Sequence, residues 1–418
     1  MPLLIVVGQG YVGLPLAMRA ARAGYSVVGY DTDAGRVERL VQGDSYVGDV
    51  PSEDLRYALD SGRYVATSSE SEIGDFDYAV ITVPTPLKEG VPDLSYIEAA
   101  AEMLASKLRR GATVVLESTT YPGTTTELLV PVLERGSGLV AGRDFQVGYS
   151  PERIDPGNRT WKLENTPKVV SGIDGSSLEA VQNFYRDLVA ETVPVRRTQE
   201  AELVKLVENT FRHVNIALVN EIAMFAADLD IDIWEALDAA STKPFGFMRF
   251  DPGPGAGGHC LPVDPSYLSW RVKRRVGETF RFVELANDIN KHMPHYVVRR
   301  LMLSLNRFGK PVKGSRILLL GLAYKPNTGD VRESPAMVVA ERLLILGAEV
   351  RYADPYVENA TVPSPLRKVE LTAEEVGSAD MVVVLTDHDA FDWRLVEDNA
   401  RLVFDTRRRL RGDRVEIL

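Results

Sequence analysis

The opening thirty residues alternate between apolar runs and glycine-rich punctuation. Leu3 to Val7 is a continuous apolar run, the pattern of a strand buried on both faces. Gly8-Gln9-Gly10-Tyr11-Val12-Gly13 follows, then a helical segment from Leu14 to Ala23 that stops at Gly24. A second strand, Ser26 to Tyr30, ends in Asp31. Strand, GxGxxG, helix, strand and terminal acid together predict a dinucleotide-binding unit. Gly8 makes the tight turn, Gly10 admits a pyrophosphate to the helix N-terminus, and Gly13 lets helix and strand pack closely. An acid at position 31 accepts hydrogen bonds from ribose hydroxyls and repels a 2′-phosphate, which selects NAD over NADP. Arg36 pulls the other way, since a nearby arginine can serve that phosphate.

Further apolar strands are predicted at Tyr78 to Val83, Thr113 to Leu116 and Phe145 to Tyr149. They run into Pro84-Thr85-Pro86, Glu117-Ser118-Thr119-Thr120 and Ser150-Pro151-Glu152-Arg153. Ligands of a doubly wound sheet meet the carboxyl ends of its strands, so Tyr11, Val12, Pro84, Thr85, Ser118 and Thr119 join the candidate cofactor residues. From Thr198 to about Asp228 the period changes. Leu203, Leu206, Val207, Phe211, Val214, Leu218, Ile222 and Phe225 recur at helical spacing, which predicts a long amphipathic spine helix suited to a dimer surface. Lys205 and Asn209 lie four apart, on one face of it. Shorter helices are expected at Ile233 to Ala240, Tyr267 to Arg275 and Glu278 to Leu305, the last interrupted near Pro294. The strand pattern then returns at Arg316 to Leu320, Val350 to Ala353, Met381 to Leu385 and Leu402 to Phe404. The expected fold is therefore α/β: two Rossmann-like doubly wound domains joined by a long central helix. The expected boundaries are 1–197 for the NAD-binding domain, 198–305 for the central helical domain and 306–418 for the second α/β domain.

Composition narrows the partners. At 418 residues and 45% hydrophobic content the chain can build several real cores. A net charge of -11 argues against nucleic acid as a partner, which needs clustered cations. The basic run Arg407, Arg408, Arg409, Arg411 reads as a solvated turn. One cysteine excludes an intramolecular disulfide. No apolar run is as long as a membrane span, and no basic leader precedes the first strand, so a cytoplasmic protein with no membrane partner is expected. The five histidines show no metal spacing, and no metal is expected.

The lone thiol lies in FDPGPGAGGHCLPVDP, residues 250 to 265. By itself, a single cysteine is more often a small buried hydrophobe than a nucleophile. The Gly and Pro content instead places Cys260 on a shaped loop, where catalytic groups are commonly carried. An alcohol dehydrogenase needs no thiol, but oxidation past the aldehyde does use one. Thiolate addition gives a thiohemiacetal, loss of a second hydride gives a thioester, and water releases the acid. An ammonium and an amide aimed at the substrate oxygen would stabilise the oxyanion of each step. The residues themselves reach an NAD-dependent dehydrogenase with a covalent step and stop there.

Four separated stretches resemble the UDP-glucose/GDP-mannose dehydrogenases, which oxidise a sugar nucleotide to its uronic acid with two NAD+. They are the GxGxxG start, Lys205-Leu-Val-Glu-Asn209, Gly257-Gly258-His259-Cys260-Leu261-Pro262 with Asp264, and Tyr324-Lys325-Pro326-Asn327-Thr328 running to Arg332-Glu333-Ser334-Pro335. The resemblance covers nearly the whole chain. It implies Cys260 as nucleophile, Lys205 and Asn209 as oxyanion and substrate contacts, and Asp264 positioning water or Lys205. It implies Thr119 as a water-positioning residue, Glu152 as a general base, Lys325 as a sugar-nucleotide contact and Arg332 as a cofactor contact. Arg153, Arg212, Phe250 and Gly257 complete the expected substrate set. The C-terminal domain is expected to hold the UDP, and the spine to make a homodimer. The segment from Ser150 to Asn158 resembles the branch acting on UDP-N-acetylhexosamines, with UDP-N-acetylglucosamine or UDP-N-acetylmannosamine the expected substrate and UDP-glucose the alternative. Gly329 departs from the family, which has an Asp there. A two-electron hydroxyacid dehydrogenase shares the first domain and the spine but has no use for Cys260. An NAD-binding scaffold would bind the cofactor and reduce none.

Overall fold

The computed structural model describes every residue except Glu89, Pro156, Gly157, Arg159, His259, 359–361, 363 and 364, and of Cys260 and Pro262 it describes the backbone alone. The chain divides into two units, Met1–Glu208 with Trp270–Val276, and Asn209–Ser269 with Gly277–Leu418.

The first unit is built on an eight-stranded sheet. Its strands are β1 (Leu3–Val7), β2 (Ser26–Tyr30), β3 (Tyr64–Thr67), β4 (Tyr78–Ile81), β5 (Thr113–Leu116), β6 (Gln146–Tyr149), β7 (Lys168–Gly172) and β8 (Thr192–Pro194), in the order β8-β7-β6-β5-β4-β1-β2-β3. All neighbours are parallel except β6 and β7, which pair Gly148 with Gly172 and Tyr149 with Ser171 in antiparallel sense. The continuous apolar run of β1 follows from burial on both faces. Leu4 and Val6 enter one core, with Leu14, Ala17 and Phe184. Ile5 and Val7 enter the other, with Ile97, Leu104 and Val114. Helix α1 (Gly13–Ala23) starts at the third glycine and ends at Gly24, whose φ of 101° is the left-handed closure that glycine provides. β4 stops two residues before the expected Val83, and just beyond it the Thr82 hydroxyl donates to the Val7 and Gly8 carbonyls.

The second unit carries a wholly parallel six-stranded sheet. It contains β9 (Arg316–Leu320), β10 (Glu349–Ala353), β11 (Arg367–Lys368), β12 (Met381–Val384), β13 (Val403–Asp405) and β14 (Val415–Ile417), ordered β11-β10-β9-β12-β13-β14. Its first strand sits in the middle, flanked by its second and fourth, as in the first unit. Both sheets are therefore doubly wound, as the strand patterns predict.

Helix α2 (Thr198–Asp228) is the predicted spine, and the division between the units falls within it. Two other helices differ from expectation. Cys260 is the first residue of α3 (Cys260–Val276) and not a loop residue. Pro262 lies in the first turn, where amide hydrogens have no helical partner, and Pro265 removes one bond just beyond it. Helix α4 (Arg281–Arg307) runs through Pro294 without a break. The carbonyl that Pro294 leaves without its helix partner is that of Asn290, and it faces Gly255, where a Cβ would approach it to 2.8 Å.

Candidate active site

The glycine turn after β1 is shaped by its neighbours. Gly8 has a φ of 95°, and a Cβ there would lie 2.9 Å from the Thr82 carbonyl. A Cβ on Gly13 would come within 1.8 Å of the Gly8 carbonyl, so any side chain would force α1 off the sheet. Gly10 is the opposite case, for nothing lies within 4 Å of its Cβ direction. Asp31 is buried at the end of β2, its carboxylate accepting from Gln9 N at 2.8 Å and Asp33 N at 2.9 Å. The turn, the open space at Gly10 and the strand-end acid fit a dinucleotide. Tyr11 is exposed and Val12 half-buried. Arg36 lies with Nη1 at 3.6 Å from Asp31, its side chain half exposed. Tyr46 was absent from the sequence-based set, yet its hydroxyl donates to the Gln9 carbonyl at 2.5 Å.

Along the same sheet edge, Pro84 is exposed, Thr85 is buried and Thr119 is half-buried. Ser118 Oγ donates to the Val83 carbonyl at 2.7 Å, tying the β5 end to the β4 end. Glu117 and Lys168 form a buried ion pair at 2.9 Å, and the Tyr185 hydroxyl donates to the same carboxylate. The sequence pattern signalled none of this network except as a charge at the end of an apolar strand. Lys205 is buried on α2, where its Nζ donates to the Glu152 carbonyl at 2.7 Å and to Glu152 Oε2 at 3.1 Å. Arg153 pairs with Glu208 at 2.7 Å and donates to the Pro167 carbonyl at 2.6 Å. Lys205, Glu152 and Arg153 are thus held together within the first unit.

In the second unit Asn209 donates to Asp264 at 2.6 Å, both being buried. Asp264 stands one turn beyond Cys260 on α3. The Cys260 side chain and His259 lie outside the described residues. The glycines ahead of them are required by close packing against the fourth motif. A Cβ on Gly257 would meet Pro335 at 2.7 Å and the Glu333 carbonyl at 2.8 Å, and one on Gly258 would strike the Tyr324 ring at 2.6 Å. The loop is further anchored where Gly253 N donates to Asn220 Oδ1 at 2.9 Å. Phe250 makes an edge contact with Phe211 at 5.8 Å, and Arg212 is exposed. Lys325 is half-buried, and Arg332 is exposed and paired with Asp330 at 2.6 Å. Gly329 has a structural reason, because a Cβ there would come within 2.4 Å of the Tyr356 carbonyl.

The basic run near the C-terminus is a solvated turn only in part, for Arg409 and Arg411 are exposed while Arg407 and Arg408 are half-buried. Arg407 Nε donates to the Leu385 carbonyl at 2.9 Å, and its guanidinium lies where a Cβ on Gly253 would meet it at 2.7 Å. Arg408 and Arg409 pair with Asp238 at 2.7 Å and Asp387 at 2.6 Å. A run of arginines looks solvated in sequence because its carboxylate partners are far away along the chain. Among the described residues no group of three or more His, Cys, Asp or Glu is arranged to hold a metal. No described helix is long and apolar enough to cross a membrane.

Comparison with known proteins assigns the chain. Models of the UDP-glucose/GDP-mannose dehydrogenase family match in three parts: the NAD binding domain over residues 3–189, the central domain over 199–292 and the UDP binding domain over 318–412. The chain belongs to this family. It is an NAD-dependent dehydrogenase. It is 36% identical over 403 residues to the UDP-N-acetyl-D-mannosamine dehydrogenase of Pyrococcus horikoshii, covering 95% of this chain and 93% of that one. It is 36% identical to the UDP-N-acetyl-D-glucosamine 6-dehydrogenase of Salmonella typhi, over 94% of this chain and 92% of that one. The solved structure of a UDP-D-ManNAc dehydrogenase from Pyrococcus horikoshii superposes with a TM-score of 0.90 at 33% identity, covering 99% of this chain and 98% of that one.

Proposed function

We propose that this enzyme oxidises the C6 hydroxymethyl group of a UDP-N-acetylhexosamine, UDP-N-acetylglucosamine or UDP-N-acetylmannosamine, to the uronic acid. The balanced reaction consumes one sugar nucleotide, two NAD+ and one water, and yields the uronate with two NADH and three protons. The Gly8–Gly13 turn, Asp31, Pro84, Thr85, Ser118 and Arg332 would hold NAD+, which would supply the hydride acceptor for both oxidations. The observation that carries the reading is the pair of buried cation and amide one turn apart on α2. Lys205 is held by Glu152 at 2.7 Å and Asn209 by Asp264 at 2.6 Å. Held donors of this kind stabilise an alkoxide or oxyanion without reorganising.

In the proposed sequence Glu152 removes the hydroxyl proton and Lys205 stabilises the alkoxide as the aldehyde forms. The Cys260 thiolate then adds to the aldehyde carbon. Its position at the first residue of α3 favours an anion there, because helix N-termini carry partial positive charge. Asn209 and Lys205 hold the resulting oxyanion, and loss of the second hydride leaves the thioester. Thr119 and Asp264 position the water that displaces Cys260 and releases the carboxylate. Lys325, Arg153, Arg212, Phe250 and Gly257 serve the sugar nucleotide, with the UDP on the C-terminal domain. The names of the relatives and the segment from Ser150 to Asn158 favour the N-acetylhexosamine.

We further assign residues 1–197, 198–305 and 306–418 to cofactor, central and UDP-sugar domains, and place the enzyme in the cytoplasm as a homodimer. The stripe Leu203, Val207, Phe211, Leu218, Ile222 and Phe225 is exposed along α2, as an unpaired dimer face would be. The test counts NADH per sugar consumed with UDP-glucose, UDP-N-acetylglucosamine, UDP-N-acetylmannosamine and GDP-mannose. Two NADH with an N-acetylhexosamine is the expected result. Two with UDP-glucose alone would move the substrate to the alternative, and one or none with every sugar would remove the covalent route.

A further inference from the structure

Glu202 is fully buried on α2, three residues before Lys205 and so on the same side of the same turn. Its carboxylate makes no contact with Lys205's partner Glu152. It accepts instead from Gly123 N at 2.6 Å through Oε2, and from Thr125 N at 2.8 Å and Thr125 Oγ1 at 2.7 Å through Oε1. These donors end the segment that follows β5. At its other end Ser118 Oγ is tied to the Val83 carbonyl at 2.7 Å. Between them the chain is stitched by the Thr124 hydroxyl, which donates to the Tyr121 carbonyl at 2.7 Å. Thr119 to Pro122 is therefore tied at one end to the sheet and at the other to α2, with the Tyr121 ring between them packed on Trp270 at 5.1 Å and under Arg271 at 4.9 Å. A single turn of α2 fixes both strand-end segments, the β5 segment through Glu202 and the β6 segment through Lys205.

We propose that Glu202 is a positioning residue for the oxidation, fixing Thr119 relative to Lys205 and Glu152 by holding Gly123 and Thr125 on the turn that carries Lys205. This rests on the reading of Thr119 as the residue that places the attacking water. Three buried donors on one carboxylate specify a carboxylate and no other side chain. A glutamine would keep the Thr125 bonds but turn an amide N–H toward the Gly123 N–H, so one donor would lose its acceptor. A displacement of about 1 Å in a positioned group costs about 100-fold in turnover.

The test compares Glu202→Gln, Thr125→Val, Thr125→Ser and Thr119→Val in the full-length enzyme. Asp174→Ala, which removes a helix N-cap accepting from Ser177 N at 2.7 Å, serves as a control for general destabilisation. Turnover, KM for both substrates, NADH affinity by fluorescence and amide exchange across residues 118–125 are measured for each. Glu202→Gln is expected to lower kcat by about 30- to 100-fold with each KM and the NADH affinity within about threefold, and to raise exchange at 118–125. Thr125→Ser keeps the hydroxyl and is expected near wild type, with Thr125→Val between the two. Asp174→Ala is expected to lower the melting temperature and leave kcat unchanged. Unchanged exchange at 118–125 in Glu202→Gln would overturn the inference whatever the activity. So would raised exchange with an unchanged kcat while Thr119→Val is impaired. A normal Thr119→Val would instead remove the proposed role of Thr119, and this inference with it.

Discussion

Each α/β unit ends its second strand in a buried aspartate, and the two aspartates do different work. Asp31 accepts two backbone amides, from Gln9 and Asp33, and has Arg36 at 3.6 Å on a half-exposed side chain. Asp354 accepts four, from Leu322, Ala323, Tyr356 and Val357, and receives His388 Nε2 at 3.0 Å as well. The turns before them begin alike. Gly8 and Gly321 have φ near 95° and 81°, and each is pressed against the carbonyl of a threonine at the end of the fourth strand of its sheet, Thr82 or Thr386. They then diverge. In the first unit a helix starts at Gly13, and its N-terminus faces the open space at Gly10. In the second the chain wanders to Ser334 before helix α5 (Pro335–Ile345) begins, and Asn327 N bonds to His388 Nδ1 at 2.9 Å. The His388 ring is therefore the tautomer protonated on Nε2, donating to Asp354 and accepting from Asn327. In the proposed function the first acid is left for a ligand, while the other is a staple that folds a long segment bearing Lys325.

The largest expected effect is on the staple. Asp354→Ala would leave four amides and a histidine N–H without their acceptor, at a cost of about 3–5 kcal/mol in urea unfolding of the second unit. NADH affinity should stay within about twofold, and a parallel loss of affinity would break the comparison. Burial pushes Asp354 up, but the His388 hydrogen bond and the backbone amides of Leu322 and Tyr356 hold it below the ordinary 3.8. A lowered carboxyl stabilises above its unfolded value and loses that contribution as pH falls through the folded one. The gap between wild type and Asp354→Ala should therefore narrow only in that acid range.

Glu202 gives a third buried acid with the opposite sign. Burial pushes it up to about 7, against the amides of Gly123 and Thr125 and the Thr125 hydroxyl, with Glu127 the charged neighbour that adds to the rise. A raised carboxyl favours the folded state most below its unfolded value of 4.5, and that contribution fades as pH rises through 7. Measured against Glu202→Gln, wild-type stability should fall by about 3 kcal/mol between pH 4.5 and 8. A difference that grows with pH would mean the amides outweigh burial at this site.

Much of this contrast can be read in the sequence, and the reason for the rest is physical. The Gly8–Gly13 turn and Asp31 announce themselves because dinucleotide binding needs those residue types at fixed local spacing. Lys205, Asn209 and Asp264 stand out through motif resemblance, and the structure pairs Lys205 with Glu152 and Asn209 with Asp264. Asp354 directly follows the predicted strand Val350 to Ala353, but nothing local marks His388 as its partner, since the bond spans a sequence separation of 34. Glu202 reaches back 77 residues to Thr125, and Glu117 is joined to Tyr185 across 68. Long-range acceptors leave no periodicity. Proline also misled in a predictable way: Pro265 and Pro294 suggested a loop and a break, whereas each costs one hydrogen bond in a helix that packing holds together.

On the ligand side of the comparison the effects are smaller. Asp31→Ala should raise the Kd for NADH by about 30-fold, near 2 kcal/mol, because charge-assisted bonds to ribose hydroxyls are lost. Unfolding should change by only about 1–2 kcal/mol, since only two amides lose an acceptor. If stability fell as far as in Asp354→Ala, the first aspartate would be a staple as well.

Arg36 carries the smallest expected effect and decides what kind of ligand acid Asp31 is. Its guanidinium is 3.6 Å from Asp31 and 3.5 Å from Asp33, with half of its side chain in solvent. Exposed pairs at such distances contribute about 0–1 kcal/mol, so Arg36 does not hold Asp31 in place; the Gln9 and Asp33 amides do that. It also lies 6.0 Å from the Tyr46 ring centroid, within reach of a cation–π contact that keeps it beside Asp31. If Arg36 merely flanks an acid that selects NAD, Arg36→Ala should change NADH affinity by less than about threefold and leave NADPH weakly bound. If it serves a 2′-phosphate, the same substitution should abolish NADPH binding that wild type displays. Titrating both reduced cofactors into wild type and Arg36→Ala separates the two. The expected pattern is a small loss for NADH, because Asp31 remains in place to repel the additional phosphate.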